Sequence, residues 1–539
     1  VTTDSTPTKP KKSWLKLVLF TFLCLSLAGG VVGWMLFGHY AVLFYWNGEL
    51  NKALIVAKNN SEVGRTRVEQ VFNDAIKAKV APDILMRMYR VYGMSLYQQD
   101  EIARADEQID KAIALGEKEP PTNYAVADQL THAWQDRATE RHYHWKQDPK
   151  KPDGVKDQEM SVKVAEAAFG PDHEQTVFKA SGLAMMYADV GRYADADKLI
   201  DRCIKSAETK DSAKQTAWFC YAMLAHIRAV EHRYKEAVAA YFKNREVSTN
   251  DDDRGRGWDE LMSGLRYKQP RENEVNQLAR KLLNKGDYAQ LDGLAEKFIK
   301  EKTEYWDGFW KLDYLTTPLE WGQGVDATHY DQLRLDLDSW LKKNPKSAVA
   351  RVALANLHIN RAWEVRDEDE YGPRFYKLMK ESKATLDAAP DLKERIPFTY
   401  VPLMRLTIPD NEKDKFLKLV AEGEKRWPTY YKLDSWAVKF FSINWLGEPG
   451  EQHAFIKKRA DTIGGAQGDK FYARVACYQF LHSDSERVVG KGSEYEWPRI
   501  KRGFKQIFKE FPDEVEARIA FLRLALSGDH DDDARNMEW

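Results

Sequence analysis

The chain has 539 residues, 43% of them hydrophobic and 31% charged, with a mean hydropathy of −0.61. Lysine and arginine number 82 against 83 aspartates and glutamates, a net charge of −1, and there are four cysteines. These values exclude a polytopic membrane protein, a basic field that would recruit nucleic acid or anionic lipid, and a disulfide-built scaffold.

Residues 1–13 read as a short arm and 14–46 as a transmembrane signal anchor with its interfacial end. From Leu17 to Phe37 no side chain is ionisable, and about 20 apolar residues match a hydrocarbon core of roughly 30 Å. Trp14 stands at one end and Tyr40, Tyr45 and Trp46 at the other, where amphipathic rings settle among headgroups. Lys9, Lys11, Lys12 and Lys16 precede the span and only Lys52 and Lys58 follow closely, so the arm is expected in the cytoplasm and the large domain outside it. Ser26-Leu27-Ala28 offers a signal-peptidase site, but the apolar run continues past it, which favours a retained anchor. Gly29 and Gly33 form a GxxxG, with Ser26 and Gly30 as a parallel small pair, a pattern that lets a second membrane helix approach closely.

Residues 47–249 read as helical hairpins. Leu183-Ala184, Tyr187, Gly191, Tyr193, Ala196, Ile200 and Cys203 place small residues where two helices touch, aromatics around them and a glycine at the turn. The spacing recurs at Leu224-Ala225, Arg228, His232, Tyr234, Ala237, Tyr241 and Asn244. It recurs upstream at Tyr92-Gly93, Leu96, Asp100, Ile102, Ala105, Ile109 and Ala112. The pattern resembles tetratricopeptide repeats over residues 85–248, and Phe169-Gly170-Pro171-Asp172-His173 resembles the longer repeat of kinesin light chains. Arg228 and Asn244 depart from the residue types usual at those positions. Pro120–Phe169 fits as a degenerate repeat carrying a Lys-, Asp- and Pro-rich insertion, expected to be an exposed loop, at Lys146–Gln158. Cys203 and Cys220 can pair in an oxidising compartment or remain buried thiols.

Residues 250–278 read as a linker, opened by the Asn250-Asp251-Asp252-Asp253-Arg254-Gly255 run, and 279–539 as an irregular helical-repeat domain. Helices are expected at Val275–Lys285 with a Gly286 cap, at Tyr288–Lys302, and from Ser347 through Arg366. Trp340, Pro345-Lys346-Ser347 and Ala362-Trp363-Glu364-Val365-Arg366 make this half similar to an uncharacterised bacterial domain found with tetratricopeptide proteins, which carries no known activity. The fold class is therefore all-α: one N-terminal membrane helix followed by an α-solenoid of hairpins.

No Gly-rich phosphate loop, nucleophile elbow, HExxH helix or paired CxxC occurs. His142 and His144, two apart on a helix, point to different faces. Asp529, Asp531, Asp532 and Asp533 lack the glycine and distal glutamate of a calcium loop and read as a frayed tail. No catalytic residue, cofactor or metal is assigned. In a solenoid the first helix of each hairpin lines the groove, which nominates Arg87, Arg90 and Tyr97, then Ser181, Met185 and Asp189, then Ala222, His226 and Val230.

The expectation is a membrane-anchored scaffold or accessory subunit on the periplasmic side of a bacterial inner membrane. It would hold a protein partner, as part of an integral membrane complex, through this groove and the Ser26, Gly29, Gly30 and Gly33 face. The alternative is an extracytoplasmic enzyme or glycan-binding protein with a Trp-rich cleft after residue 280. A cavity gathering carboxylates such as Asp313 and Glu320 beside Trp306, Trp310, Trp321, Trp340, Trp363, Trp427, Trp436, Trp445 and Trp497 would favour it, whereas rings buried in a packed interior would argue against it.

Overall fold

The computed structural model describes residues 39–58, 61–267, 273–320, 327–369, 371–442, 444–482, 489 and 493–537. The arm, the apolar span and its Ser26, Gly29, Gly30 and Gly33 lie outside them. Among the described residues no helix is long and apolar enough to cross a membrane. The chain divides into two compact units, Val1–Leu265 and Arg266–Trp539.

The first unit is helical: α1 (39–58), α2 (Ser61–Lys77), α3 (Pro82–Tyr97), α4 (Ile102–Gly116), α5 (Tyr124–Gln147), α6 (Val155–Phe169), α7 (Glu174–Asp189), α8 (Tyr193–Thr209), α9 (Ala217–Val230), α10 (Tyr234–Val247) and α11 (Asp251–Leu265). Helices α3 and α4, α5 and α6, α7 and α8, and α9 and α10 pack as hairpins. The small residues singled out by spacing are where the helices touch. Ala105, Ala184, Ala196, Ala225 and Ala237 have no exposed surface, and a Cβ on Gly93 would come within 2.8 Å of Ile109. The run at 250–255 does not open a linker. Asn250 caps the N-terminus of α11 by accepting from Asp253 N at 2.9 Å, α11 packs along α9, and the boundary between units falls after Leu265. The insertion is also shorter than expected, because α5 runs to Gln147 and α6 starts at Val155 with Gln158 buried.

The hairpin turns share one backbone solution. Asp100, Gly191 and His232 all adopt positive φ, at 60°, 84° and 61°. In each the next N–H reaches back to a carbonyl of the last helical turn: Glu101 to Leu96 at 3.0 Å, Arg192 to Tyr187 at 2.7 Å and Arg233 to Arg228 at 2.8 Å. This is a Schellman-type cap, which satisfies carbonyls that the helix end would otherwise leave unpaired.

The second unit contains α12 (Glu274–Lys285), α13 (Tyr288–Glu301), α14 (Lys311–Glu320), α15 (Ala327–Lys343), α16 (Ala348–Asp369), α17 (Pro373–Asp387), α18 (Leu392–Arg395), α19 (Tyr400–Arg405), α20 (Lys413–Arg426), α21 (Tyr431–Phe440), α22 (Glu451–Ile463), α23 (Gly465–His482), α24 (Trp497–Glu510), α25 (Val515–Ser527) and α26 (Asp531–Arg535). Gly286 takes positive φ as the C-cap of α12, and Ser347 precedes α16 with its Oγ accepting from Ala350 N at 3.1 Å, as the sequence predicts. Trp340 is a core ring, stacked on Tyr288. Asp292 accepts from Trp340 Nε1 at 3.0 Å, Asn344 Nδ2 at 2.8 Å and Ser347 Oγ at 2.5 Å, tying α13 to the α15–α16 turn. The aspartates near the C-terminus are not frayed: α26 folds back, His530 stacks on Trp497 at 4.2 Å, and Asp533 accepts from Trp497 Nε1 at 2.7 Å.

Between α13 and α14, residues 303–310 form a short hairpin whose Glu304–Trp310 bridge is the sole β-type pairing among the described residues. Tyr305 N donates to Phe309 O, and Gly308 turns the loop at φ 95°. A Cβ there would strike Tyr431 and Arg474 at 2.9 and 3.0 Å, so glycine is needed both for the turn and for the close approach.

Candidate functional site

The first helices of the hairpins, with α1, line two adjoining openings that share His132. The larger, about 640 Å³, lies among α1, α3 and α5, with Arg87, Arg90 and Met94 on one side and Gln129 and Asp136 on the other. The smaller, about 360 Å³, continues across α5, α7 and α9 to Phe178, Lys179 and Trp218. The periodicity of the helices puts these side chains on one face: Asp128, His132 and Asp136 recur every four residues on α5, and Gln175, Phe178 and Lys179 lie at i, i+3 and i+4 on α7.

Arg90 crosses between helices, its Nε 2.8 Å from Asp136 and its Nη1 2.7 Å from the Gln129 carbonyl oxygen. Lys179 is fully buried at the junction, donating to His132 Nδ1 at 2.9 Å and to the Gln135 side-chain oxygen. Burial lowers the Lys179 ammonium to about 8. His132 is pushed down to about 3, first by burial and then by Lys179, Arg90 and Arg87, so its ring is neutral and Nδ1 is free to accept.

Arg87 is exposed and Arg90 half-buried, and both line the larger opening. The other nominated positions line neither opening. Tyr97 is buried, its hydroxyl donating to Asp106 on α4. Met185 is half-buried further along α7, while Ser181, Ala222 and Val230 are enclosed.

Asp189 and His226 do not face a ligand surface at all, and the reason is electrostatic. Asp189 takes His142 Nε2 at 2.8 Å, His226 Nε2 at 2.9 Å and Lys146 Nζ at 2.5 Å, and Glu260 lies 3.5 Å from His226 Nδ1. Helices α5 and α9 thus converge on the buried Asp189 carboxylate of α7, and α11 joins them through Glu260 beside His226. Burial alone would raise the Asp189 carboxyl, but the two histidines and Lys146 hold it well below the ordinary range. Burial would likewise lower His226, but Asp189 and Glu260 raise it to about 9.

In the second unit, a cavity of about 480 Å³ opens beside the 303–310 hairpin. Trp306, Phe309, Tyr314, Trp436 and Tyr478 supply its rings, and Asp307, Asp313, Lys432 and Arg474 its charges. Asp313 accepts from Trp310 N at 2.8 Å and from the Tyr430 hydroxyl. Asp307 accepts from the Tyr314 hydroxyl at 2.5 Å and Phe309 N at 3.1 Å, and burial raises its carboxyl above the usual range. The tryptophans divide: Trp310 and Trp340 are core, whereas Trp306 and Trp436 are half-buried at the cavity. Glu320 is the last residue of α14, and Trp321 lies outside the described residues.

No family model matches the chain, and no curated protein matches it. Among solved structures, a chain from the structure of Naa15/Naa10 bound to HypK-THB aligns over 90% of this chain and 93% of its own at 12% identity, with a TM-score of 0.19. A circular tandem repeat protein with novel repeat topology and enhanced subunit contact surfaces aligns over 90% and 98% at 12% identity, with a TM-score of 0.14. At such scores neither likeness transfers a fold or a function, and the helical-hairpin architecture rests on the packing described above.

Cys203 and Cys220 are free, buried thiols. Ser181 Oγ lies 3.3 Å from Cys220 Sγ, and burial pushes the Cys220 thiol up to about 12. No group of metal-binding side chains occurs among the described residues, and His142 is committed to Asp153 O and Asp189. Sequence reasoning missed His132, Phe178, Lys179 and Trp218. The stripe Asp128, His132, Asp136, spaced by four, was the readable signal, but it falls in the degenerate hairpin, where register could not be set from neighbouring repeats.

Proposed function

We propose that the protein is a scaffold that holds a segment of a partner protein in the groove lined by α3, α5, α7 and α9, tethered to a membrane by residues 17–37. The observation that carries this reading is the groove itself: two adjoining openings on the first helices of consecutive hairpins. They display exposed Arg87 and half-buried Phe178 and Trp218, an arginine and two aromatic anchors of the kind enriched at interaction hot spots. The apolar span and its lysine bias support an orientation with the arm in the cytoplasm and the domain in the periplasm of a bacterial cell. The GxxxG face supports association with another membrane helix in the same complex.

Native purification of the full chain with crosslinking and mass spectrometry tests the scaffold. The expected result is a stoichiometric partner whose crosslinks fall on α3, α5, α7 and α9 and disappear in Arg87→Glu and Trp218→Ala. A chain that runs alone, or crosslinks that fall elsewhere, overturns the reading. Protease treatment of inverted inner-membrane vesicles tests the orientation: the domain should be protected, and its digestion places it on the cytoplasmic side.

A further inference from the structure

The aromatic cavity of the second unit is unrelated to the groove and has its own chemistry. Its volume, about 480 Å³, falls in the range of small-molecule sites, and its lining sets the rings of Trp306, Phe309, Tyr314, Trp436 and Tyr478 beside convergent charged and hydroxyl groups. The charges at its wall are matched within the protein. Lys432 Nζ lies 3.8 Å from Asp313, Arg474 grips Glu304 through both terminal nitrogens at 3.1 and 3.2 Å, and Asp307 is held by Tyr314 and Phe309 N.

An anionic ligand entering this cavity meets only cations already engaged by Asp313 and Glu304, and a cationic one meets Asp307 with its carboxyl already accepting from Tyr314 and Phe309 N, so the desolvation of either is poorly compensated. A purely apolar ligand fails for the opposite reason, because it strips water from the exposed Thr317 hydroxyl and offers nothing to the Ser435 hydroxyl or the Asp313–Lys432 pair. Those two hydroxyls donate to Asp313 O at 2.8 Å and Lys432 O at 2.9 Å, which leaves their oxygen lone pairs to accept from a ligand hydroxyl. The compound class that answers both demands is a neutral ring with an apolar C–H face and hydroxyls on its edge. Its weakly positive C–H bonds suit the negative faces of the indoles.

We propose that this cavity binds a neutral saccharide of one or two pyranose rings, seated against Trp306 and Trp436 with its hydroxyls toward Thr317, Ser435 and the Asp313–Lys432 pair. The test is isothermal titration and saturation-transfer difference NMR on the full chain in nanodiscs, with cellobiose, maltose and N,N′-diacetylchitobiose as probes and indole and hexanoate as apolar and anionic controls. At least one disaccharide should bind. Trp306→Ala and Trp436→Ala should each weaken it at least tenfold, and the milder Thr317→Val at least threefold, with thermal unfolding showing each variant folded.

The groove variant Arg87→Glu should leave saccharide binding unchanged, so that loss of partner capture and loss of sugar binding are read separately. The proposal is overturned if no disaccharide binds, if binding survives both tryptophan variants in folded protein, or if indole or hexanoate occupies the cavity and the sugars do not.

Discussion

Asp100, Gly191 and His232 hold the same left-handed turn with three different side chains, and only one of them is suited to it. A side chain at positive φ costs roughly 1–2 kcal/mol relative to glycine, offset in part by the greater unfolded-state entropy of glycine, about 0.4–1 kcal/mol. A Cβ at Gly191 would meet nothing within 4 Å, so Gly191→Ala adds backbone strain and no clash. It should destabilise the first unit by about 1 kcal/mol in urea titration. Lys79, exposed at φ 52° with Val80 N bonded to Ala75 O at 3.2 Å, offers the reverse experiment: Lys79→Gly should gain up to about 1 kcal/mol. His232→Gly should gain less, since it gives up the bond from the ring to the Tyr234 hydroxyl. Gly191 announces its turn in the sequence. Asp100 and His232 do not, and were placed only by the small and aromatic residues flanking them, because the motif lies in the spacing more than in the turn residue.

At the scale of elements, the buried Asp189–His226 network that joins α5, α7, α9 and α11 makes the first unit sensitive to pH. His226 titrates near 9 when folded against an ordinary 6.5, so its contribution is fully present below pH 6.5 and is lost as pH rises through 9, on the order of 3 kcal/mol in all. His132 acts oppositely. Its folded ring resists protonation down to about 3, so the unfolded chain takes up a proton first and stability falls as pH drops from 6.5 towards 3. Lys179, lowered to about 8, raises stability between about 8 and its ordinary 10.5, and partly masks the His226 loss there. Thermal melts across pH 4–10 should show the alkaline limb shift in His226→Gln and the acid limb flatten in His132→Gln. An alkaline limb identical in His226→Gln and the parent chain would refute this account.

This network was hidden from the sequence because its members lie 37 and 47 residues from Asp189, and periodicity reports a helix face without naming what that face meets. The spacing rule placed Asp189 and His226 in the groove since both stand on first helices, whereas mutual attraction draws them inward. In the second unit Asp292 plays a comparable part, and its partners were the sequence features Trp340 and Ser347 themselves. Asp292→Ala removes three hydrogen bonds, two of them to otherwise buried side chains, and should destabilise that unit by about 2–4 kcal/mol in thermal unfolding.

For the whole molecule, the all-helical character, the register of the hairpins α3–α4, α7–α8 and α9–α10 and the helix ends around Gly286 and Ser347 were legible, because each is set by local small, apolar and capping residues. The aromatic cavity of the second unit was half legible. An abundance of tryptophan marked the right part of the chain, but nothing local distinguishes the half-buried Trp306 and Trp436 from Trp310 and Trp340, whose neighbours come from distant helices.

The two units are also stitched differently along the chain. In the first, the side-chain bonds described join residues within a few tens of positions, hairpin to neighbouring hairpin. In the second, the 303–310 hairpin is held by Arg474 and Lys470, 166 to 170 positions away, and Arg266 grips Glu516 across 250. A nearest-neighbour array can fray from an end, repeat by repeat, whereas a unit sewn from its first residue to its last must come apart together. Hydrogen exchange on the full chain should therefore show graded protection across α3 to α11 and one shared opening rate for α12 to α25. A ribosome could release the first unit to fold as it emerges, but the second must wait for its final helices.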